Sequence, residues 1–110
     1  MLDSKNIFIA SEHLHRKVQW LPDYLTAWMY SGVREDFNYE LVFTNIREFF
    51  PKGSLYMVRT RHNSTTILLG ELEQTIQTEI GTSFLIWDSH WKRVVEFNPI
   101  GVFRRGFIPE

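Results

Sequence analysis

The clearest hydrophobic pattern lies toward the C-terminal end of the chain. Phe84-Leu85-Ile86-Trp87 is apolar at every position, so in an extended strand Phe84 and Ile86 share one face and Leu85 and Trp87 the other. A strand that is apolar on both faces must be covered on both, which places residues 82–88 at the centre of a sheet. Ser89-His90-Trp91-Lys92 then reads as a turn and Arg93-Val94-Val95-Glu96-Phe97-Asn98 as the returning strand of an antiparallel hairpin. Upstream, residues 55–61 form one strand pattern, ending in the polar run His62-Asn63-Ser64-Thr65. Residues 66–76 form the next, with Leu72, Gln74 and Ile76 on one face and Gly70 marking a bulge or bend. Pro99-Ile100-Gly101 turns the chain into a last strand over 102–108.

The first half is patterned differently. Asn6-Ile7-Phe8-Ile9-Ala10 is short and β-prone and predicts a strand. Ser11 is positioned as an N-cap, and Leu14, Val18 and Leu21, then Tyr24, Leu25, Trp28 and Met29, mark an apolar stripe. These positions predict a helical segment over 12–31, broken at Leu21-Pro22 and stopped at Ser31-Gly32. Residues 33–50 admit two readings. Phe37, Leu41, Val42, Ile46, Phe49 and Phe50 fit one helix, whereas Tyr39, Leu41 and Phe43 alternate as in a strand. The Asn45-to-Glu48 spacing of a capping box tips the balance to a strand at 38–43 and a short helix at 46–50, ended by Pro51 and Gly53. The predicted fold is a single α+β domain over 1–110, with N-terminal helical segments packed on a bent antiparallel β-sheet of about five strands.

A helix followed by strongly bent strands, with Leu69-Gly70-Glu71-Leu72 in the second and Phe103-Arg104-Arg105-Gly106 in the last, resembles the small barrels of Sm-like RNA-binding proteins over roughly residues 55–108. Asn63-Ser64 stands where that family carries an Asp-Gly turn, and its Asp-x-x-x-Asn base-pocket spacing does not follow Leu72. The resemblance implies an SH3/Sm-like barrel as the form of the bent sheet and is used for the fold alone.

Composition narrows the function classes. The chain has 110 residues, 44% hydrophobic and 23% charged, which suits one globular domain with a core of its own. Aromatic residues reach 15%, a content that serves both cores and interfaces. With no cysteine, disulfides, thiolate metal sites and thiol nucleophiles are excluded, and a reducing compartment is permitted. A net charge of −1 provides no general attraction to nucleic acid or anionic membrane. No apolar run approaches a membrane span and no basic-then-apolar leader opens the chain, so the expectation is a soluble, cytoplasmic protein.

Candidate chemistry is sparse. His13-Leu14-His15 would offer two metal ligands on a strand, with Glu12, Asp23 or His90 as a third, but on a helix the two rings diverge. His62-Asn63-Ser64 has a spacing that lets a histidine and a hydroxyl face one phosphate. His62 beside Asp88 or Glu71 would make a general acid–base pair, although Asn-Ser is also ordinary turn chemistry. Gly-rich phosphate loops, nucleophile elbows and His-Glu-x-x-His runs are absent from the sequence. Arg59, Arg61, Lys92, Arg93, Arg104 and Arg105, together with Trp87, Trp91, Phe103 and Phe107, set arginines beside aromatics, as in sheets that hold single-stranded nucleic acid. Glu71, Glu73, Asp88 and Glu96 lie on the same predicted strands and would pair with those arginines instead. Trp20, Tyr24, Trp28 and Tyr30 supply a further set of large aromatics suited to a protein interface.

The preferred reading is a small non-enzymatic interaction protein, without cofactor or metal, that binds and regulates or inhibits a partner macromolecule. Accessory proteins of phages and mobile elements often have this size and kind. A protein partner is favoured, a homodimer is compatible, and no membrane is involved. The binding candidates are Trp20, Tyr24, Arg59, Arg61, Trp91, Arg104 and Arg105. The alternatives are an RNA- or single-stranded-DNA-binding module using an Arg/aromatic sheet face, and a small hydrolase or nuclease using His62 and His90.

Overall fold

The computed structural model describes residues 3–21, 28–50 and 53–109. The architecture is α+β, as the sequence pattern predicts. Helices α1 (Ser4–His15), α2 (Tyr39–Phe49) and α3 (Leu72–Glu79) accompany strands β1 (Gln19–Trp20), β2 (Met29–Tyr30), β3 (Ser54–Val58), β4 (Thr65–Leu68), β5 (Phe84–Asp88), β6 (Arg93–Asn98) and β7 (Val102–Phe107). The strands form one antiparallel sheet in the order β1-β7-β6-β5-β3-β4. β2 also pairs with β7, beside Val102 and Phe103, while β1 lies beside Gly106 and Phe107, so the two short strands share the outer edge of β7.

β5 is interior, between β3 and β6, and its two apolar faces feed two separate cores. Phe84 and Ile86 join Leu55, Met57, Val95, Phe97 and Phe103 under Val42, Phe43 and Ile46 of α2 and Leu72 and Ile76 of α3. On the other face Trp87, Val58 and Val94 pack against Ile7 of α1. Phe84 stacks on its cross-strand partner Phe97 at 4.6 Å between ring centroids, and Phe97 on Phe103 at 5.5 Å. The hairpin of β5 and β6, its turn at 89–92 and the last strand lie where the pattern puts them.

Several elements differ from the sequence reading. The stretch read as a strand at 6–10 is the middle of α1, whose N-cap is Asp3, not Ser11; the Asp3 carboxylate accepts from Asn6 N at 2.9 Å. Ile7 and Ser11, four apart, face the sheet, whereas Ile9 is exposed, so a helical period underlies the apolar run. The helix predicted over 12–31 ends at His15, and Trp20, Met29 and Tyr30 lie in strands. Its predicted continuation through Tyr24 and Leu25 falls outside the described residues. Residues 39–49 form one helix capped by Asn38, which accepts from Leu41 N, rather than a strand and a short helix. Asn45 lies inside that helix and donates to Leu41 O. Phe50, preceding Pro51, is already extended, as a residue before proline prefers.

The strand predicted over 66–76 stops at Leu68. A 3-10 turn at Leu69–Glu71 leads into α3, with Leu72 and Ile76 buried four residues apart and the Glu71 carboxylate accepting from Leu68 N at 2.9 Å. That helix crosses from β4 to β5, and the sheet stays open, with β4 at one edge and β1 and β2 at the other. The SH3/Sm-like barrel is therefore not formed. Among the described residues no helix is long and apolar enough to cross a membrane.

Candidate functional site

The sequence candidates are dispersed over the molecule. Alternation along β7 sends Arg104 to the α1 face and Arg105 to the face under α2. Arg104 lies directly opposite Glu96; its Nε donates to Glu96 Oε1 at 2.6 Å, and its Nη2 lies 2.6 Å from the same oxygen in the ion pair. Its guanidinium carbon lies 3.7 Å from the Trp20 ring centre and 4.4 Å from that of Trp28. His15 Nε2 approaches the other Glu96 oxygen at 3.3 Å, and its ring meets the edge of Trp20. Arg104 and Trp20 are thus brought together, but each is half-buried in a joint between α1, β1 and β7 whose charges are mutually paired.

Arg59 pairs with Glu79 at the end of α3. Arg61 is exposed in the loop after β3, and its carbonyl accepts from Ser4 Oγ. Ser64 ties that loop down: its hydroxyl donates to Thr60 O at 2.7 Å, and its backbone N donates to Ser4 Oγ. Trp91 occupies the turn between β5 and β6 at φ 58, a left-handed conformation rarely adopted by bulky residues. Its ring stacks on Tyr56 at 4.5 Å and leans on Trp87, which holds it in place. Tyr24 lies outside the described residues. The predicted exchange of arginines with acids across the strands is realised for Glu96, whereas Glu73 pairs with Arg47 and Glu71 is spent on the turn into α3. Helices pack on both faces of the sheet, α1 on one and α2 and α3 on the other, and Arg104 and Arg105 lie on opposite faces.

The histidines do not converge either. Val58 pairs with Leu85 and Leu55 with Asp88, so the loop carrying His62 lies at the start of β5 and the turn carrying His90 at its end. Asp88 is buried at the His90 end, where its carboxylate accepts from Lys92 N and Arg93 N, both at 2.7 Å, and shapes the turn. Among the described residues no group of three His, Asp or Glu is arranged to hold a metal ion.

Two other places stand out, at opposite ends of the sheet. At the first, Ser31 N and Gly32 N both donate to Gly101 O, at 2.8 and 2.9 Å, and Asn38 N donates to Ser31 O. Ser31 is fully buried, and Gly32 at φ 74 has no room for a side chain because the Asp36 carbonyl lies where a Cβ would stand. This lock gathers the start of α2, β2 and the tight turn between β6 and β7. On its surface stand Ile100, 77% exposed, Tyr30, 65%, and Tyr39, 50%. Glu35, Asp36 and Glu40, near Tyr39 in the chain, are exposed as well. Tyr30 belongs to the aromatic set read from the sequence, but the backbone bonds that tie the segments of Ile100 and Tyr39 to that of Ser31 need the fold. The one available signal was an isoleucine at the tip of a Pro-x-Gly turn.

At the second place, a recess of about 550 Å³ opens between the last turn of α2 and the ends of β6 and β7. Arg93 donates to Phe49 O at 2.7 Å, satisfying a carbonyl that the helix end leaves open. The guanidinium carbons of Arg93 and Arg105 lie 5.8 and 5.7 Å from the same Phe49 ring. The Arg105 Nε is buried and meets no acceptor among the described residues. Comparison of the chain with family models, with curated proteins and with solved structures finds no match.

Proposed function

We propose that the protein is a small non-enzymatic binding protein that regulates or inhibits a partner protein by engaging it through Tyr30, Tyr39 and Ile100. The observation that carries this reading is the presence of three strongly exposed apolar side chains on one hydrogen-bonded backbone framework. A rigid apolar centre with polar surroundings is how protein interfaces are built, and tyrosine is among the residues enriched there. Glu35, Asp36 and Glu40, near Tyr39 in the chain, favour a partner surface with an apolar centre and basic flanks. The cysteine-free sequence agrees with a cytoplasmic setting for that encounter.

The test is capture from lysate, with and without nuclease, by the native chain and by a Tyr30→Ser/Ile100→Asp variant. The expected result is a partner that survives nuclease and is lost from the variant, while the melting temperature of the variant stays unchanged. A partner lost on nuclease treatment would move the nucleic-acid reading forward, and one retained by the variant would remove this surface from consideration. Sizing of the two chains alone separates self-association through the same patch from a heterologous contact.

A further inference from the structure

The three helices are fastened to the sheet by different chemistry. α2 buries Val42, Phe43 and Ile46, and α3 buries Leu72 and Ile76. α1, the longest of the three, buries one apolar side chain, Ile7, with Phe8 and Leu14 half-buried beside it. The rest of its sheet-facing stripe is polar. Ser4 Oγ donates to Arg61 O and accepts from Ser64 N, both at 2.8 Å. Ser11 Oγ accepts from Trp87 Nε1 at 2.9 Å, and His15 Nε2 lies 3.3 Å from Glu96 Oε2.

Apolar burial and hydrogen bonding respond differently when a helix leaves its sheet. Buried apolar area is lost outright, whereas a hydrogen bond is exchanged for one to water. Each polar anchor of α1 has such a substitute. Arg61 O and Ser64 N belong to the loop before β4 and meet water once Ser4 departs. Glu96 loses His15 but keeps the Arg104 Nε bond at 2.6 Å, in which α1 takes no part. The Trp87 indole N–H takes water in place of Ser11. The link from α1 to β1 is Arg16-Lys17-Val18, in which Arg16 and Lys17 are exposed. The core under α2 and α3, built on Phe84, Ile86, Val95 and Phe97, shares no residue with the one under α1.

We infer that α1 is a detachable strap, which opens as one unit while the sheet stays folded under α2 and α3. Elements with few buried apolar contacts open at the low end of a protein's range of local stabilities. Opening bares Val58, Trp87 and Val94, the residues buried beneath α1 together with Ile7. The protein thereby has a second form, in which an apolar face of the sheet is accessible. The strap does not depend on the surface of Tyr30, Tyr39 and Ile100.

Native-state hydrogen exchange of the full chain, followed by NMR, tests the inference. Trp87 carries two reporters: its indole N–H bonds to Ser11 of α1, and its backbone N–H lies in the interior strand β5. The amides of Phe8–His15 and the Trp87 indole should share one protection factor, at least ~100-fold below that of the Trp87 backbone amide. Ile76→Val loosens the core on the opposite face, where Ile76 is fully buried. It should speed exchange in β5 and β6 by about 3- to 10-fold and leave α1 and the indole unchanged, because that core stays intact when α1 opens. Equal protection in α1 and β5 would overturn the proposal. So would an indole that follows its own backbone amide, or Ile76→Val speeding α1 as much as β5.

Discussion

Replacing Ser11 with alanine tests the joint between α1 and the sheet. Ser11 is 1% exposed, and its hydroxyl accepts the indole N–H of fully buried Trp87 at 2.9 Å. The surroundings are apolar, with Ile7, Val58 and Val94 nearest in the same core. Removing the hydroxyl leaves a buried donor without an acceptor, at a cost of ~1–3 kcal/mol. Trp87→Phe removes that donor, so the same serine replacement made on top of Trp87→Phe should cost less. The double-mutant cycle should return a coupling of about 1 kcal/mol. Urea unfolding followed by far-UV circular dichroism is the assay, because Trp87 itself contributes to the fluorescence. With m of ~2 kcal/mol/M, a loss of about 2 kcal/mol lowers the midpoint by roughly 1 M. If Ser11 were a helix cap, Ser11→Gly would restore most of the loss and no coupling to Trp87 would appear. Strict additivity of the two substitutions would refute the reasoning.

Gly106→Ala should cost ~1–3 kcal/mol, because a Cβ there meets Val18 Cγ1 and lies 2.8 Å from the Trp20 ring. The same change should speed amide exchange at Leu21, whose N–H bonds to Arg105 O across that edge, and normal exchange at Leu21 would contradict it. Phe84→Ala should cost ~3–5 kcal/mol by thermal or urea unfolding, and a loss under about 1 kcal/mol would make the β5–β6 hairpin peripheral. Arg104→Lys keeps the charge opposite Glu96 but loses the flat contact with Trp20 and Trp28, so a loss of about 1–2 kcal/mol is expected. Equal stability of the lysine variant would assign the whole effect to charge.

The fold was most legible where a single structure explains every position. In Phe84–Trp87 apolar side chains at all four positions admit a doubly covered strand, and the following turn and strand fix its partner. Where two periods fit the same residues, the sequence underdetermined the outcome. Leu72 and Ile76 are equally well four apart on a helix or on one face of a strand, and the tie was broken by the Glu71 carboxylate bonding back to Leu68 N. Ile7-Phe8-Ile9 has strand propensity, yet Asp3 caps a helix and the period Ile7–Ser11 wins through the buried bond to Trp87, a residue 76 positions away. No local reading of Ser11 contains that partner.

The same reasoning explains why the site was less legible than the fold. Counting arginines and acids on neighbouring strands identified the Glu96–Arg104 pair, because directly opposed residues follow from register. It could not identify which cations remain unpaired, since that depends on where helices deliver their acids. Arg59 is taken by Glu79 from α3, while Arg93 and Arg105 face the last turn of α2, where Phe49 presents a ring and a carbonyl. Helices pack on both faces of the sheet, β1 and β2 cover one edge, and Glu71 caps Leu68 N on the edge strand β4. Tyr30, Tyr39 and Ile100 stand exposed toward one end of the sheet and Lys92 and Arg93 toward the other, and α2 runs between them, with Tyr39 as its first residue and Phe49 as its last. Exposed apolar side chains at one end and exposed cations at the other are different chemistries, and a ligand that quenches one has no reason to fit the other.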